Sequence, residues 1–153
     1  MKWALDFAYR VQKWLWKLFR PHTRGVKVLV FNQAGEVLLI RNSYGRSDLF
    51  VLPGGGIRPF EQPASAARRE IGEELGCDVG ELTAISTYFS NAEGKRDTIH
   101  LFSGRAGGDH RADNFEVEEA RYFPLDALPA NISAATLRRI EEQSGKRKRD
   151  GTW

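Results

Sequence analysis

Apolar and polar residues recur over the first twenty positions with the period of an α-helix. An apolar stripe consists of Trp3, Phe7, Val11, Trp14, Leu15 and Leu18. The opposite side carries polar residues every three or four positions: Lys2, Asp6, Arg10, Lys13, Lys17 and Arg20. This spacing predicts an amphipathic helix over residues 2–19, which Pro21 ends.

The rest of the chain mixes apolar strand-like runs with two further helical segments. Residues 26–31 and 37–41 flank a turn at 32–35 and predict a hairpin. Shorter runs predict strands at 49–52, 81–90, 98–105 and 121–123, and the polar residues 107–114 predict a loop. Helices are predicted at 62–75, with Pro63 in the first turn and Gly76 just past the end, and at 133–143. Strands and helices in this order indicate one α/β layered domain.

Composition agrees with a globular chain that has a mildly basic balance. Hydrophobic residues make up 41% and charged residues 28% of 153 positions, and the formal net charge is +3. The basic excess lies in the first helix and in the tail at 146–149, so no specific nucleic-acid binding is expected. The single cysteine, Cys77, weakly favours a reducing compartment. Because charges interrupt the N-terminal apolar residues, we expect no secretory signal and a cytoplasmic location.

The chemistry is concentrated between Gly55 and Cys77. Glu70, Glu73 and Glu74 are spaced i, i+3 and i+4, so their carboxylates share one face of the predicted helix. Taken alone, such a helix is more often a solvated surface. A divalent cation, Mg²⁺ or Mn²⁺, would turn the repulsion among these carboxylates into attraction. The preceding glycines, Gly54–Gly56, let the backbone approach a ligand closely.

This segment resembles the Nudix box, G-x5-E-x7-R-E-U-x-E-E-x-G-U, where U is a bulky apolar residue. All seven fixed letters are matched, by Gly55, Glu61, Arg69, Glu70, Glu73, Glu74 and Gly76. Chance agreement is on the order of 10⁻⁸ per starting position at average residue frequencies. Cys77 replaces the aliphatic residue at the last position. The resemblance covers about residues 23–144 and implies a Nudix-type α/β/α sandwich with a mixed sheet.

The resemblance implies a Mg²⁺-dependent hydrolase that cleaves a phosphoanhydride in a nucleoside diphosphate linked to another group. A nucleoside triphosphate, a nucleotide sugar and a dinucleoside polyphosphate all stay open as substrates. The implied metal ligands are Glu70, Glu73, Glu74, the carbonyl of Gly55 and an acidic residue after the box. Glu116 matches that last position best, with Glu119 and Asp113 as alternatives. Glu61 and Arg69 are implied to orient the helix, and either Glu70 or Glu116 to act as general base.

The competing function is a Nudix module that senses a nucleotide without turning it over. The intact glutamates favour the enzyme, because a pure binder need not keep the metal set. Four other residues could either contact the substrate or have a structural role in the core: His100, Phe50, Tyr88 and Phe89.

We expect three segments: a helix at 1–20, the hydrolase domain at 21–144 and a frayed basic tail at 145–153. Two interpretations of the helix stay open. In the favoured one, it buries its apolar stripe on the domain or across a homodimer. In the other, it makes weak contact with an anionic membrane surface.

Overall fold

The computed structural model describes residues 2–19, 21–112 and 115–153. The described helices and strands, in chain order, are α1 (Lys2–Phe19), β1 (His22–Phe31), β2 (Val37–Asn42), α2 (Pro63–Leu75), β3 (Asp78–Val79), β4 (Thr83–Ser90), β5 (Arg96–Gly107), β6 (Val117–Phe123) and α3 (Ala134–Gln143). A 3₁₀ turn at Ala92–Gly94 joins β4 to β5.

The strands form one mixed sheet in the order β3-β5-β1-β2-β6, with β4 also paired to β5. Strands β1 and β5 run parallel, in register from His22 opposite Arg96 to Phe31 opposite Arg105. The other pairings are antiparallel. This parallel pair at the centre of the sheet, with helices beside it, confirms the predicted Nudix-type α/β fold.

Alternate residues of β1 belong to two separate cores, one on each face of the sheet. Val26 and Val28 pack with Ile71 of α2. Leu29 packs with Ile140 of α3. This follows from the two-residue period of a strand, which sends successive side chains to opposite faces. The run at 26–31, apolar except for Lys27, is therefore typical of a central strand covered on both sides.

The predicted strand at 49–52 is reduced to single bridges. Val51 exchanges two hydrogen bonds of 2.9 Å with Ile40 of β2, and Phe50 bridges to Ile132. The chain then leaves β2 and pairs with β1, where Val28 N–H donates to the carbonyl of Pro53 at 3.0 Å. The segment changes partner after so few residues that no regular ladder forms.

The prediction of a frayed tail is wrong for its last residues. Residues 146–149 are exposed, but Phe89 of β4 donates to the carbonyl of Gly151 at 2.8 Å and accepts from Trp153 N–H at 3.0 Å. The indole of Trp153 meets the ring of Tyr88 edge-on, with centroids 5.7 Å apart. The tail is held because it satisfies the open edge of β4.

The helix predicted at 2–19 is confirmed, but the domain does not bury its apolar stripe. The polar side of α1 faces the domain instead: Asp6 accepts a 3.4 Å bond from Gly45 N–H, and the ring of Tyr9 lies 5.9 Å from that of Tyr44. Trp3 keeps 77% of its surface exposed. Among the described helices, none is long and apolar enough to cross a membrane.

Candidate active site

The glycine loop before α2 lies along the free side of β1. The carbonyl of Gly55 accepts a 2.9 Å bond from Val26 N–H. Gly54 has φ +142°, and a Cβ added to it would lie 2.1 Å from the carbonyl oxygen of Val26. Only glycine fits this position, because any side chain would collide with the backbone of β1.

The carboxylate of Glu70 lies directly on the loop. A Cβ added to Gly55 would be 2.5 Å from the carboxylate carbon of Glu70. The glycine therefore makes room for a functional group of α2 rather than for a turn. The Gly55 carbonyl keeps one lone pair beyond its bond to β1, since a carbonyl oxygen accepts two.

Glu74 is buried beneath the same loop, and its carboxylate accepts a 3.0 Å bond from Gly54 N–H. Burial is the main cause that raises the pKa of Glu74 to about 7. The charge of Lys27 and the bond from Gly54 oppose that rise, whereas the negative charges of Glu70 and Glu116 add to it. These carboxylates are thus close enough to repel one another.

Lys27 of β1 places a cation among these carboxylates. Its Nζ donates a 2.9 Å bond to the carbonyl of Leu52. Burial lowers the pKa of Lys27, and the charges of Glu74 and Glu70 partly restore it. Sequence reasoning missed this residue. The available signal was a lone charge inside an apolar run covered on both faces, where an unpaired charge is costly.

Arg69 joins the loop to the helix through a fork of hydrogen bonds. Its Nε and Nη2 each donate to Glu61 at 2.8 Å, Nη1 donates to Glu70 at 2.7 Å, and Nη2 also reaches the carbonyl of Gly56 at 2.9 Å. The bond from Arg69 lowers the pKa of Glu61 to about 2. Such a two-pronged pair fixes orientation as well as distance.

Glu73 shares the Nη1 of Arg69 with Glu70 but is more exposed than Glu70 and Glu74. It is about half exposed and contacts two guanidinium groups, Arg69 at 3.2 Å and Arg58 at 3.5 Å. Arg58, which sequence reasoning also missed, comes from the x5 stretch of the box, where the motif allows any residue.

Glu116 and Glu119 are the two acidic candidates after the box that the structure describes, and their surroundings differ. The carbonyl of Glu116 accepts a 2.9 Å bond from Ser43 N–H, and the charge of Glu116 raises the pKa of Glu74. Glu119 is paired with Arg41 at 2.8 Å. Asp113 is outside the residues that the structure describes.

The aromatic candidates divide between core and surface. Phe50 and Tyr88 are buried in the core beside α3, whereas Phe89 is 62% exposed. Phe89 lines a cavity of about 220 Å³ together with His22, Ser90, Asn91, Arg96, Asp97 and Thr98. His100 is half-buried beside Thr87, and burial, followed by the charge of Arg24, lowers its pKa.

The donors fit a hard divalent cation in chemistry and charge. Within residues 2–19, 21–112 and 115–153, no three His, Cys, Asp or Glu side chains close around one point as a finished metal site. Burial is the main cause of the raised pKa of Glu74, and repulsion from the charges of Glu70 and Glu116 adds to it. A divalent cation would relieve that repulsion, and carboxylate and carbonyl oxygens are ligands that Mg²⁺ and Mn²⁺ accept.

Known proteins resemble the chain in sequence and in fold. The family model for the NUDIX domain matches residues 21–144. The chain is 32% identical over 124 residues to a Bacillus subtilis (strain 168) protein named "Putative 8-oxo-dGTP diphosphatase", covering 79% of each. It is 41% identical over 66 residues to diphosphoinositol polyphosphate phosphohydrolase 2 of Rattus norvegicus, covering 43% of this chain and 36% of that one. A MutT NUDIX hydrolase from Burkholderia pseudomallei aligns with a TM-score of 0.71 at 26% identity, over 78% of this chain and 96% of that one.

Proposed function

The chain belongs to the NUDIX domain family, and we propose that it is a pyrophosphohydrolase that needs Mg²⁺ or Mn²⁺. Its substrate is a nucleoside diphosphate linked to a further group, and the reaction is attack of water on a phosphorus of the phosphoanhydride. The observation that carries the proposal is the position of Glu70, whose carboxylate rests on the Cα of Gly55 beside buried Glu74.

The proposed metal ligands are the carboxylates of Glu70, Glu74 and Glu116 and the free lone pair of the Gly55 carbonyl. Glu73 stays in the proposed set, although two arginines hold it in this structure. A bound divalent cation neutralises charge on the phosphates and lowers the pKa of water. Either Glu70 or Glu116 takes the proton from the attacking water.

Two residues act by positioning. Glu61 and Arg69 join the end of the loop to α2 through paired 2.8 Å bonds, so the carboxylates of the helix keep a fixed position relative to the glycine backbone.

Lys27 lies on the strand beneath and limits the net negative charge of the site, which favours approach of an anionic phosphate.

A nucleoside triphosphate is our first choice of substrate, because the Bacillus subtilis relative, named for a nucleotide substrate, covers 79% of this chain. Nucleotide sugars and dinucleoside polyphosphates are the next candidate substrates. Exposed Phe89 beside polar Asn91 and Asp97 offers a stacking surface with hydrogen-bonding groups, which suits a nucleobase. A cytoplasmic location stays a prediction.

The test is hydrolysis of a nucleotide panel with Mg²⁺, using the full chain and the variants Glu70→Gln and Glu74→Gln. Each variant is expected to lose at least about a hundredfold in kcat, since metal-held charge is worth several kcal/mol in the transition state. Mn²⁺ affinity, measured by electron paramagnetic resonance, should fall in parallel. The matched control is Glu81→Gln, an exposed glutamate outside the site.

Turnover that survives both substitutions would contradict the assignment of the site. Tight nucleotide binding without turnover of any panel member by the unaltered chain would favour the competing sensing module.

A further inference from the structure

The apolar stripe of α1 is the largest group of exposed apolar side chains in the described part of the chain. It contributes six of the eleven large hydrophobic residues that are exposed there, and each is at least 40% exposed. Single exposed apolar residues are ordinary, but a continuous row on one element marks a surface that contacts something else.

The stripe cannot turn inward without breaking contacts that the polar side of α1 makes with the domain. Asp6 and Tyr9 contact the loop that holds Tyr44 and Gly45. At the other end, Lys17 packs so tightly on Gly94 that a Cβ added there would lie 2.6 Å from the Lys17 Cα. The helix is therefore fixed at both ends with its stripe outward.

The charge of this segment is opposite to that of an anionic surface. Residues 1–20 carry five basic residues and one acidic residue, a net of +4, whereas the whole chain carries +3. The remaining residues are therefore close to neutral, at −1. Exposed Arg10 borders the apolar stripe, two turns from Trp3 and one turn from Trp14.

We propose that α1 is a membrane-surface anchor, which lies in the headgroup layer of an anionic lipid bilayer with its apolar stripe toward the acyl chains. Tryptophan suits this boundary because its ring is apolar and its N–H is polar. A second copy of the chain is a poorer occupant, since pairing two stripes would bring two segments of net +4 together.

The geometry fits a helix that lies along the surface. Its 18 residues extend about 27 Å, and among the described helices none meets the requirement for crossing a membrane. Because the opposite side of α1 holds the domain at two places, the hydrolase would sit on the membrane in one orientation.

The test is co-sedimentation of the full chain with two kinds of vesicle, pure phosphatidylcholine and phosphatidylcholine mixed with phosphatidylglycerol. We expect binding to the mixed vesicles, weakened by salt, with a blue shift of tryptophan emission. The double variant Phe7→Ser, Trp14→Ser should lower partitioning at least about tenfold, because two exposed aromatic side chains lose their burial. Arg10→Gln should lower it about fivefold.

Leu125→Ser is the matched control, since Leu125 is a partly exposed apolar residue far along the chain from α1. It should leave partitioning unchanged. Three results would overturn the proposal: no binding to mixed vesicles, equal binding to neutral vesicles, or undiminished binding of the double variant. Sedimentation velocity adds a fourth, a dimer that forms without lipid and is lost in the double variant. Nucleotide hydrolysis, followed separately in solution, does not enter these outcomes.

Discussion

At the residue scale, the three glycines of the loop have different physical roles, although they look alike in the sequence. An added methyl group would strike backbone at Gly54, the carboxylate of Glu70 at Gly55, and nothing within 4 Å at Gly56. Backbone cannot move aside without cost, whereas a carboxylate can rotate away. We therefore expect alanine at Gly54 to lower mainly stability, and alanine at Gly55 to lower mainly activity.

We expect Gly54→Ala to lower the free energy of unfolding by at least about 3 kcal/mol. Gly55→Ala should leave stability within about 1 kcal/mol but reduce hydrolysis about a hundredfold, because a shift of about 1 Å in a catalytic group has that effect. Gly56→Ala is the control and should change little. Urea unfolding and steady-state kinetics measure both quantities, and equal activity of the last two variants would contradict the assigned contact.

A second residue-scale prediction concerns Lys27. Its positive charge interacts with Glu74 and Glu70, so it competes electrostatically with any metal ion bound there. Lys27→Met removes that competition and is expected to tighten Mn²⁺ binding several-fold, while keeping the apolar stem. Isothermal titration would measure this, with Lys146→Met on the exposed tail as control. Weaker metal binding in Lys27→Met would show that the lysine supports the ligands instead.

The sequence predicted those site residues that belong to the fixed positions of the motif, and it missed the site residues that do not. The bonds of Arg69 to Glu61 follow from a motif with fixed intervals. Lys27 and Arg58 reach the same site from β1 and from the box's variable stretch, and no interval in the chain encodes their distance to the glutamates. Such contacts depend on how β1 and the loop pair, which only the fold specifies.

At the element scale, local signals located helix α2 well and the tail badly. Pro63 stands in the first turn and Gly76 adopts the left-handed conformation just past the end, as the sequence predicts. The docking of Trp153 has no local signal, because its backbone bonds to Phe89 of β4 and to Arg138 of α3, which is 15 residues earlier. Whether such a segment is ordered depends on its tertiary contacts and not on the local propensity of its residues.

The tail covers a buried ion pair. Arg139 and Glu142 of α3 are bonded at 2.8 Å and almost inaccessible. The guanidinium of Arg139 lies 4.1 Å from the centre of the Tyr88 ring and 5.2 Å from that of Trp153, and it donates to the carbonyl of Thr152 at 2.8 Å. Breaking such an arrangement leaves charge short of partners in an apolar surrounding.

Trp153→Ala is therefore expected to lower the free energy of unfolding by about 2–3 kcal/mol, through lost packing and a lost cation–π contact. The same substitution at exposed Trp3 should stay within about 0.5 kcal/mol. Thermal and urea unfolding of both variants would measure the contrast. Equal effects of the two substitutions would mean that the tail does not hold to the domain in solution.

At the scale of the whole molecule, the two cores are built without the N-terminal helix. One core combines residues of α2 with β1, β2, β3, β5 and β6. The other combines α3 with β1, β2, β4, β5 and β6, and α1 contributes to neither. The contacts of α1 with the domain include the bond of Asp6 to Gly45, the ring contact of Tyr9 with Tyr44 and the close packing of Lys17 on Gly94. The sequence predicted the helix itself, but its period alone could not say which side of the helix would meet the domain.

Removing residues 1–20 should therefore leave the domain folded. We expect the free energy of unfolding to change by less than about 1 kcal/mol and the urea m-value to change little, since α1 already exposes its apolar stripe in the folded state. Binding to anionic vesicles should disappear, while hydrolysis in solution should persist. A truncated chain that unfolds without cooperativity would show that α1 belongs to the folding unit. The contacts at Gly45 and Gly94 would then be essential to the fold as well as orienting the helix.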